Sequence, residues 1–148
     1  MSPKIDPQFA AEFARTLRDE IGANSLYRRL ARHDRDAELV RLLQAFVEEG
    51  EALETAVREL MLSLGARGRE RSVFRWFSAR CWGLSARLGF RRFVLRLCVE
   101  SEEALARRYA GFAHWLARGG ETRAARSCEQ IATRKAARAS ALRAWVPR

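Results

Sequence analysis

Apolar side chains recur at steps of three and four over long stretches of this chain, and nowhere do apolar and polar residues alternate strictly. Along residues 7–32 the positions Phe9, Phe13, Leu17, Glu20, Asn24, Tyr27 and Ala31 follow helical spacing. A second helix, capped by Asp34 or Asp36, continues through Leu39, Leu42, Leu43, Phe46, Leu53, Val57, Leu60 and Leu64 to a stop at Gly65. Residues 66–71 form a polar connection, after which the chain turns aromatic and basic from Val73. By Phe93 a third long helix is under way; it reaches about Leu116 and ends at Gly119-Gly120. The fourth runs over residues 122–145 and is stopped by Pro147. With three prolines, nine glycines and no Asn-Gly or Asp-Gly turn, nothing supports a strand-rich fold. The expectation is an all-α chain, a single helical domain over residues 1–148, whose 48% hydrophobic content is enough to build a core.

Charge divides the chain. Residues 1–66 carry nine basic and twelve acidic side chains, and residues 67–148 carry nineteen and six, so a net −3 is followed by a net +13. A block that positive attracts a polyanionic surface, either nucleic acid or anionic lipid. Residues 1–20 contain no apolar core of a signal peptide, and the expectation is a protein on the cytoplasmic side. Cys81, Cys98 and Cys128 are too few and too scattered for a disulfide framework or a zinc site, and are expected as reduced, buried thiols.

The stretch 73–99 is long enough to span a bilayer, but it contains Arg75, Arg80, Arg87, Arg91, Arg92 and Arg96. Each centrally placed arginine costs roughly 2.5–3.5 kcal/mol even on a lenient insertion scale, so a spanning helix is not expected. The aromatic residues Phe74, Trp76, Phe77 and Trp82, interleaved with arginines and with no acidic residue, suit an amphipathic interfacial segment instead. Its apolar side would enter the acyl boundary, and guanidinium groups would meet headgroup phosphates. The alternatives are a connecting helix packed on the bundle with a solvated arginine edge, and a nucleic-acid contact.

A weak internal duplication is also visible. Glu20 precedes Tyr27 by seven residues, and Glu102 precedes Tyr109 by seven, an offset of 82 between the pairs. Glu49 is followed by Ala52 and Glu129 by Ala132, with an offset of 80. Seven residues make about two helical turns, so each Glu/Tyr pair lies on one face. This spacing suggests a four-helix bundle of two hairpins related by approximate two-fold symmetry and joined by a crossover. Four glutamates, one per helix, then converge on a common interior, where they require cations, protons or arginine partners. In the alternative, some of these glutamates are surface residues and the repeat is chance.

The pattern resembles the ferritin-like superfamily, and within it the demethoxyubiquinone hydroxylase family. The stretch DEIGANSLY at residues 19–27 is similar to that family's first-helix glutamate motif, and VESEEALARRY at residues 99–109 to its third-helix motif ending in Tyr. The resemblance covers roughly residues 10–145 and implies that the basic, aromatic stretch corresponds to the family's membrane-associated segment. It also implies a di-iron centre in which each half supplies one glutamate and one Glu-x-x-His pair, activating dioxygen to hydroxylate a quinone ring. Glu20, Glu49, Glu102 and Glu129 match the glutamate ligands, whereas Ala52 and Ala132 stand where the histidines belong. His33 and His114 lie more than three turns from the nearest of these glutamates, over about 15 Å along an ideal helix, and cannot substitute.

Without imidazoles the carboxylate shell favours harder, more labile ions. Arg134 and Lys135 stand ready to neutralise glutamates by salt bridging, and Glu48, Glu51 and Glu54 offer replacement carboxylates on the second helix alone. The expectation is therefore a membrane-peripheral, ferritin-like protein on the inner membrane face with a degenerate di-iron site. It has no catalytic residues and no cofactor, and acts as a quinone- or lipid-binding or accessory protein in ubiquinone biosynthesis. A groove near Tyr27 and Tyr109 would take an isoprenoid quinone or lipid tail, and partners would be further copies of the chain or other biosynthetic subunits. One rival is an active oxygenase holding two iron ions. Another is a basic nucleic-acid-binding protein that tracks phosphates with Arg123, Arg126, Arg134, Lys135, Arg138 and Arg143. If the alignment of Ala52 and Ala132 with the histidines holds, changing both to His raises iron affinity.

Overall fold

The computed structural model describes residues 5–65 and 90–146. Among these the chain is all-α, with four helices and no strand: α1 (Pro7–His33), α2 (Ala37–Ser63), α3 (Phe90–Arg118) and α4 (Thr122–Arg143). The chain divides into two compact units, Met1–Gly83 and Leu84–Arg148, and each is built on one helical hairpin, α1 with α2 and α3 with α4.

Short-range chemistry sets the ends of the first hairpin. The Asp6 carboxylate accepts from the Gln8 N–H, and Pro7 occupies the first turn, where its missing N–H costs nothing. After His33 the Asp34 backbone turns extended while its N–H still donates to the Leu30 carbonyl. Its side chain then accepts from the Asp36 N–H at 2.9 Å, and Asp36 in turn caps α2 by accepting from the Glu38 and Leu39 N–H groups. A link of three residues leaves α2 no choice but to fold back antiparallel on α1. In the second hairpin, Gly120 adopts φ +84°, where a side chain would be strained. The Glu121 N–H reaches the Leu116 carbonyl and the Gly120 N–H that of Ala117, which closes α3 in a Schellman turn.

The core of the first hairpin holds Phe9, Phe13, Leu17, Tyr27 and Leu30 from α1, with Leu39, Leu43, Phe46, Leu53, Val57 and Met61 from α2. Tyr27 meets Phe46 edge to face at 5.7 Å between ring centroids, a favoured aromatic geometry. The second core holds Leu95, Cys98, Leu105, Tyr109, Ala113 and Leu116 from α3. From α4 it takes smaller or charged residues as well: Ala124, Cys128, Ile131, Lys135, Arg138, Ala139 and Leu142. No helix among the described residues is long and apolar enough to cross a membrane.

Candidate functional site

The buried faces show which repeat landmarks are equivalent. Glu20, Tyr27, Glu102 and Tyr109 are all buried, so the Glu/Tyr spacing of α1 and α3 marks the same inward face in each hairpin. Shifted by 82 positions, the buried Phe13, Thr16, Leu17, Glu20, Ala23 and Tyr27 fall on the buried Leu95, Cys98, Val99, Glu102, Leu105 and Tyr109.

The second and fourth helices require a correction. Glu49 and Glu129 are exposed, as is Ala52, while Ala132 is half-buried. Burial in α2 and α4 coincides at a shift of 85 positions rather than 80: Leu39 falls on Ala124, Leu43 on Cys128, Phe46 on Ile131, Gly50 on Lys135, Leu53 on Arg138 and Val57 on Leu142. A shift of five residues is about 500° of helical rotation, which turns a core position well away from the core. The four glutamates do not all point inward.

What the sequence landmarks missed is a buried ion cluster within the second hairpin. Glu102 on α3 and Lys135 on α4 are both essentially excluded from solvent, and Lys135 Nζ lies 3.4 Å from Glu102 Oε2. Arg138, one turn further along α4, places Nη1 3.9 Å from the other carboxylate oxygen. Of the two fourth-helix cations able to neutralise glutamates, Lys135 is the buried one and Arg134 is exposed. The legible signal is phase, because Lys135 and Arg138 continue the spacing of Cys128, Ile131 and Leu142 on the apolar stripe. Below the cluster, Cys98 is buried one turn before Glu102; burial, with the Glu102 charge adding to it, pushes its thiol up to about 12. Burial alone pushes the Cys128 thiol up to about 12. Both are free, inert thiols, and Cys81 lies outside the described residues.

The corresponding place in the first hairpin is built differently. Gly50 stands where Lys135 stands, and a Cβ there would overlap the Asn24 side chain. The gap lets buried Asn24 lie against α2 and donate its amide to Glu54 Oε1 at 2.6 Å. Glu51 pairs with Arg28 at 2.9 Å across the hairpin surface, and Glu48 is exposed.

The donor set does not fit a di-iron centre. Two of the four expected carboxylates are exposed, no histidine stands three residues after Glu49 or Glu129, and a lysine and an arginine flank the carboxylate of Glu102. A buried dication beside those two cations would be repelled by them. Among the described residues no group of three or more His, Cys, Asp or Glu comes together to hold a metal ion; His33 and His114 are exposed. We therefore expect the double change Ala52→His and Ala132→His to leave iron affinity unchanged. Metal analysis after aerobic purification with added iron checks this, and near two irons per chain in the variant would restore the metal-site alignment.

The remaining expected positions are distributed as follows. Tyr27 and Tyr109 are core residues, at most 1% exposed, so neither ring lines an open groove. Of the proposed phosphate-tracking residues of α4, Lys135 and Arg138 are withdrawn into the core; Arg123, Arg126, Arg134 and Arg143 are exposed, the last of them paired with Glu103. Phe74, Arg75, Trp76, Phe77, Arg80, Trp82 and Arg87 lie outside the described residues, whereas Arg91 is exposed at the start of α3.

The fold and the cluster define an all-α protein of two helical hairpins with a buried Glu–Lys–Arg group in the second. Comparison with protein-family models, with curated proteins and with solved structures finds no match to this chain.

Proposed function

We propose that the protein is a non-catalytic accessory protein that lies on an anionic membrane surface, on the cytoplasmic side, and serves quinone metabolism. In this reading it is a relative of the ferritin-like demethoxyubiquinone hydroxylases in which cationic side chains have taken over charge compensation from metal. Kinship is supported by the buried Glu20/Tyr27 and Glu102/Tyr109 pairs. Loss of chemistry is supported by Lys135 and Arg138 around Glu102.

The observation that carries the membrane reading is the start of α3, the described part of the basic, aromatic stretch. There Phe93 is 50% exposed among exposed Arg91, Arg92 and Arg96, and the first turn has no acidic residue. An exposed phenyl ring with Arg96 about 60° away on the same helix matches the headgroup zone, where the ring reaches acyl chains and the cations reach phosphates. Removing an apolar anchor of this kind forfeits roughly 1.5–3 kcal/mol of burial. We expect co-sedimentation with phosphatidylcholine vesicles containing about a third phosphatidylserine, at least tenfold stronger than with phosphatidylcholine alone. Changing Trp76, Phe77, Trp82 and Phe93 to Ser abolishes it. Equal binding with and without anionic lipid that persists in the variant overturns the reading, as does no vesicle binding at all.

A further inference from the structure

Helix α3 presents a second feature along its whole length. Phe93 and Trp115, respectively 50% and 42% exposed, are two of the three large hydrophobic side chains exposed among the described residues. They stand 22 residues apart on one helix, which at 1.5 Å per residue separates them by about 33 Å. Arg96, Arg107 and Arg118 are exposed as well and follow one another at intervals of eleven residues. Eleven residues make three whole turns and about 20° more, so the three arginines fall close to one line. With the two aromatic residues they occupy an arc of about 100°, opposite the buried line of Leu95, Cys98, Glu102, Leu105, Tyr109, Ala113 and Leu116. Glu100 is the acidic residue within that arc.

We infer that the entire outer face of α3, from Phe93 to Trp115 and Arg118, lies flat on an anionic bilayer surface. This deepens the proposed function and rests on it: contact there needs only residues 73–99, whereas here it extends some thirty ångströms beyond them. Charge complementarity selects the occupant, three in-line guanidinium groups against one carboxylate facing a sheet of lipid phosphates. The exposed aromatic side chains select a bilayer over a nucleic acid. Against a duplex, whose bases are stacked and whose phosphates the arginines can meet alone, an aromatic ring at each end of a straight helix gains little; it gains where apolar material lies beneath the charged layer. The arginine stems lie along the helix while their heads reach the phosphates.

The test uses the full chain and vesicles of phosphatidylcholine with and without about a third phosphatidylserine. The variant Arg107→Gln, Trp115→Ser, Arg118→Gln changes only exposed positions beyond residue 99, and its thermal unfolding should match the parent. Each basic residue near an anionic surface is worth about fivefold in partitioning, so the variant is expected to bind phosphatidylserine vesicles about 20-fold more weakly or worse. In a second protein Trp76, Trp82 and Trp145 are changed to Phe, leaving Trp115 as reporter. Its emission should shift to shorter wavelength with vesicles and be quenched by lipids brominated on their acyl chains. Parent-like binding by the triple variant, or a Trp115 emission unmoved by vesicles with which the reporter protein itself co-sediments, overturns the inference while leaving contact through residues 73–99 intact. A parent that binds no vesicle removes both. Duplex DNA binding with a steep salt dependence, lost in the triple variant and without vesicle affinity, reassigns the face to nucleic acid.

Discussion

Lys135→Met is expected to destabilise the protein by about 3–5 kcal/mol, the usual cost of breaking a buried ion pair from one side. Methionine keeps most of the lysine stem, so the packing between α3 and α4 changes little and the loss reports charge. Glu102 is fully buried, and Lys135 is the nearer of its two cations, at 3.4 Å against 3.9 Å for Arg138. With the lysine gone, a fully buried carboxylate loses the nearer of the two cations described beside it. Combining Lys135→Met with Glu102→Gln should recover a substantial part of the loss, because the pair of charges then leaves together. Urea unfolding of the two single variants and the double variant measures the coupling. A single-variant cost below about 0.5 kcal/mol, the range of an exposed pair, would remove the buried cluster from the account.

The second large effect lies in the first hairpin. Gly50→Ala should cost about 2–3 kcal/mol, although alanine improves helix propensity by about 1 kcal/mol at an interior position. A Cβ at position 50 overlaps the Asn24 amide, and Asn24 can move away only by giving up its hydrogen bond to Glu54 in a buried setting. Asn24→Ala alone should cost about 1–2 kcal/mol for that lost bond. The double variant Asn24→Ala, Gly50→Ala should be more stable than Gly50→Ala alone, since the obstruction has gone and the propensity gain remains. Denaturant unfolding decides the point: if Gly50→Ala is neutral or stabilising, α1 does not approach α2 closely there.

These two sites occupy the same place in the two hairpins, and the comparison shows what kind of repeat this is. Gly50 and Leu53 in α2 fall on Lys135 and Arg138 in α4 when the buried faces are superimposed, while Glu20 and Glu102 coincide between α1 and α3. The pattern of burial is shared, but the residues facing the glutamate-bearing helix differ: a glycine that admits an asparagine in the first hairpin, two long cations in the second. Pairing Glu49 with Glu129 reads identity of residue type where the fold preserves identity of face.

Helix extent was legible because its causes are local. Periodic apolar side chains, Asp36 as a cap, Gly65 and Gly120 at positive φ and a three-residue link bring α1, α2 and α4 close to their expected bounds. The inward Glu/Tyr face was legible for the same reason, since a spacing of seven on one helix needs no knowledge of its neighbour. Partnership across a hairpin was a different matter. Whether a lysine on a basic helix meets water or a carboxylate depends on which way that helix is rolled, and a helix with small and charged residues such as α4 has a weak apolar stripe by which to judge its roll. Sequence alone therefore determined four helices, the cap of α2, the glycine stops and the uneven charge. Tertiary packing decided that Lys135 and Arg138 turn inward while Glu49 and Glu129 turn outward, because the cost of burying a charge is settled by the one neighbour close enough to answer it.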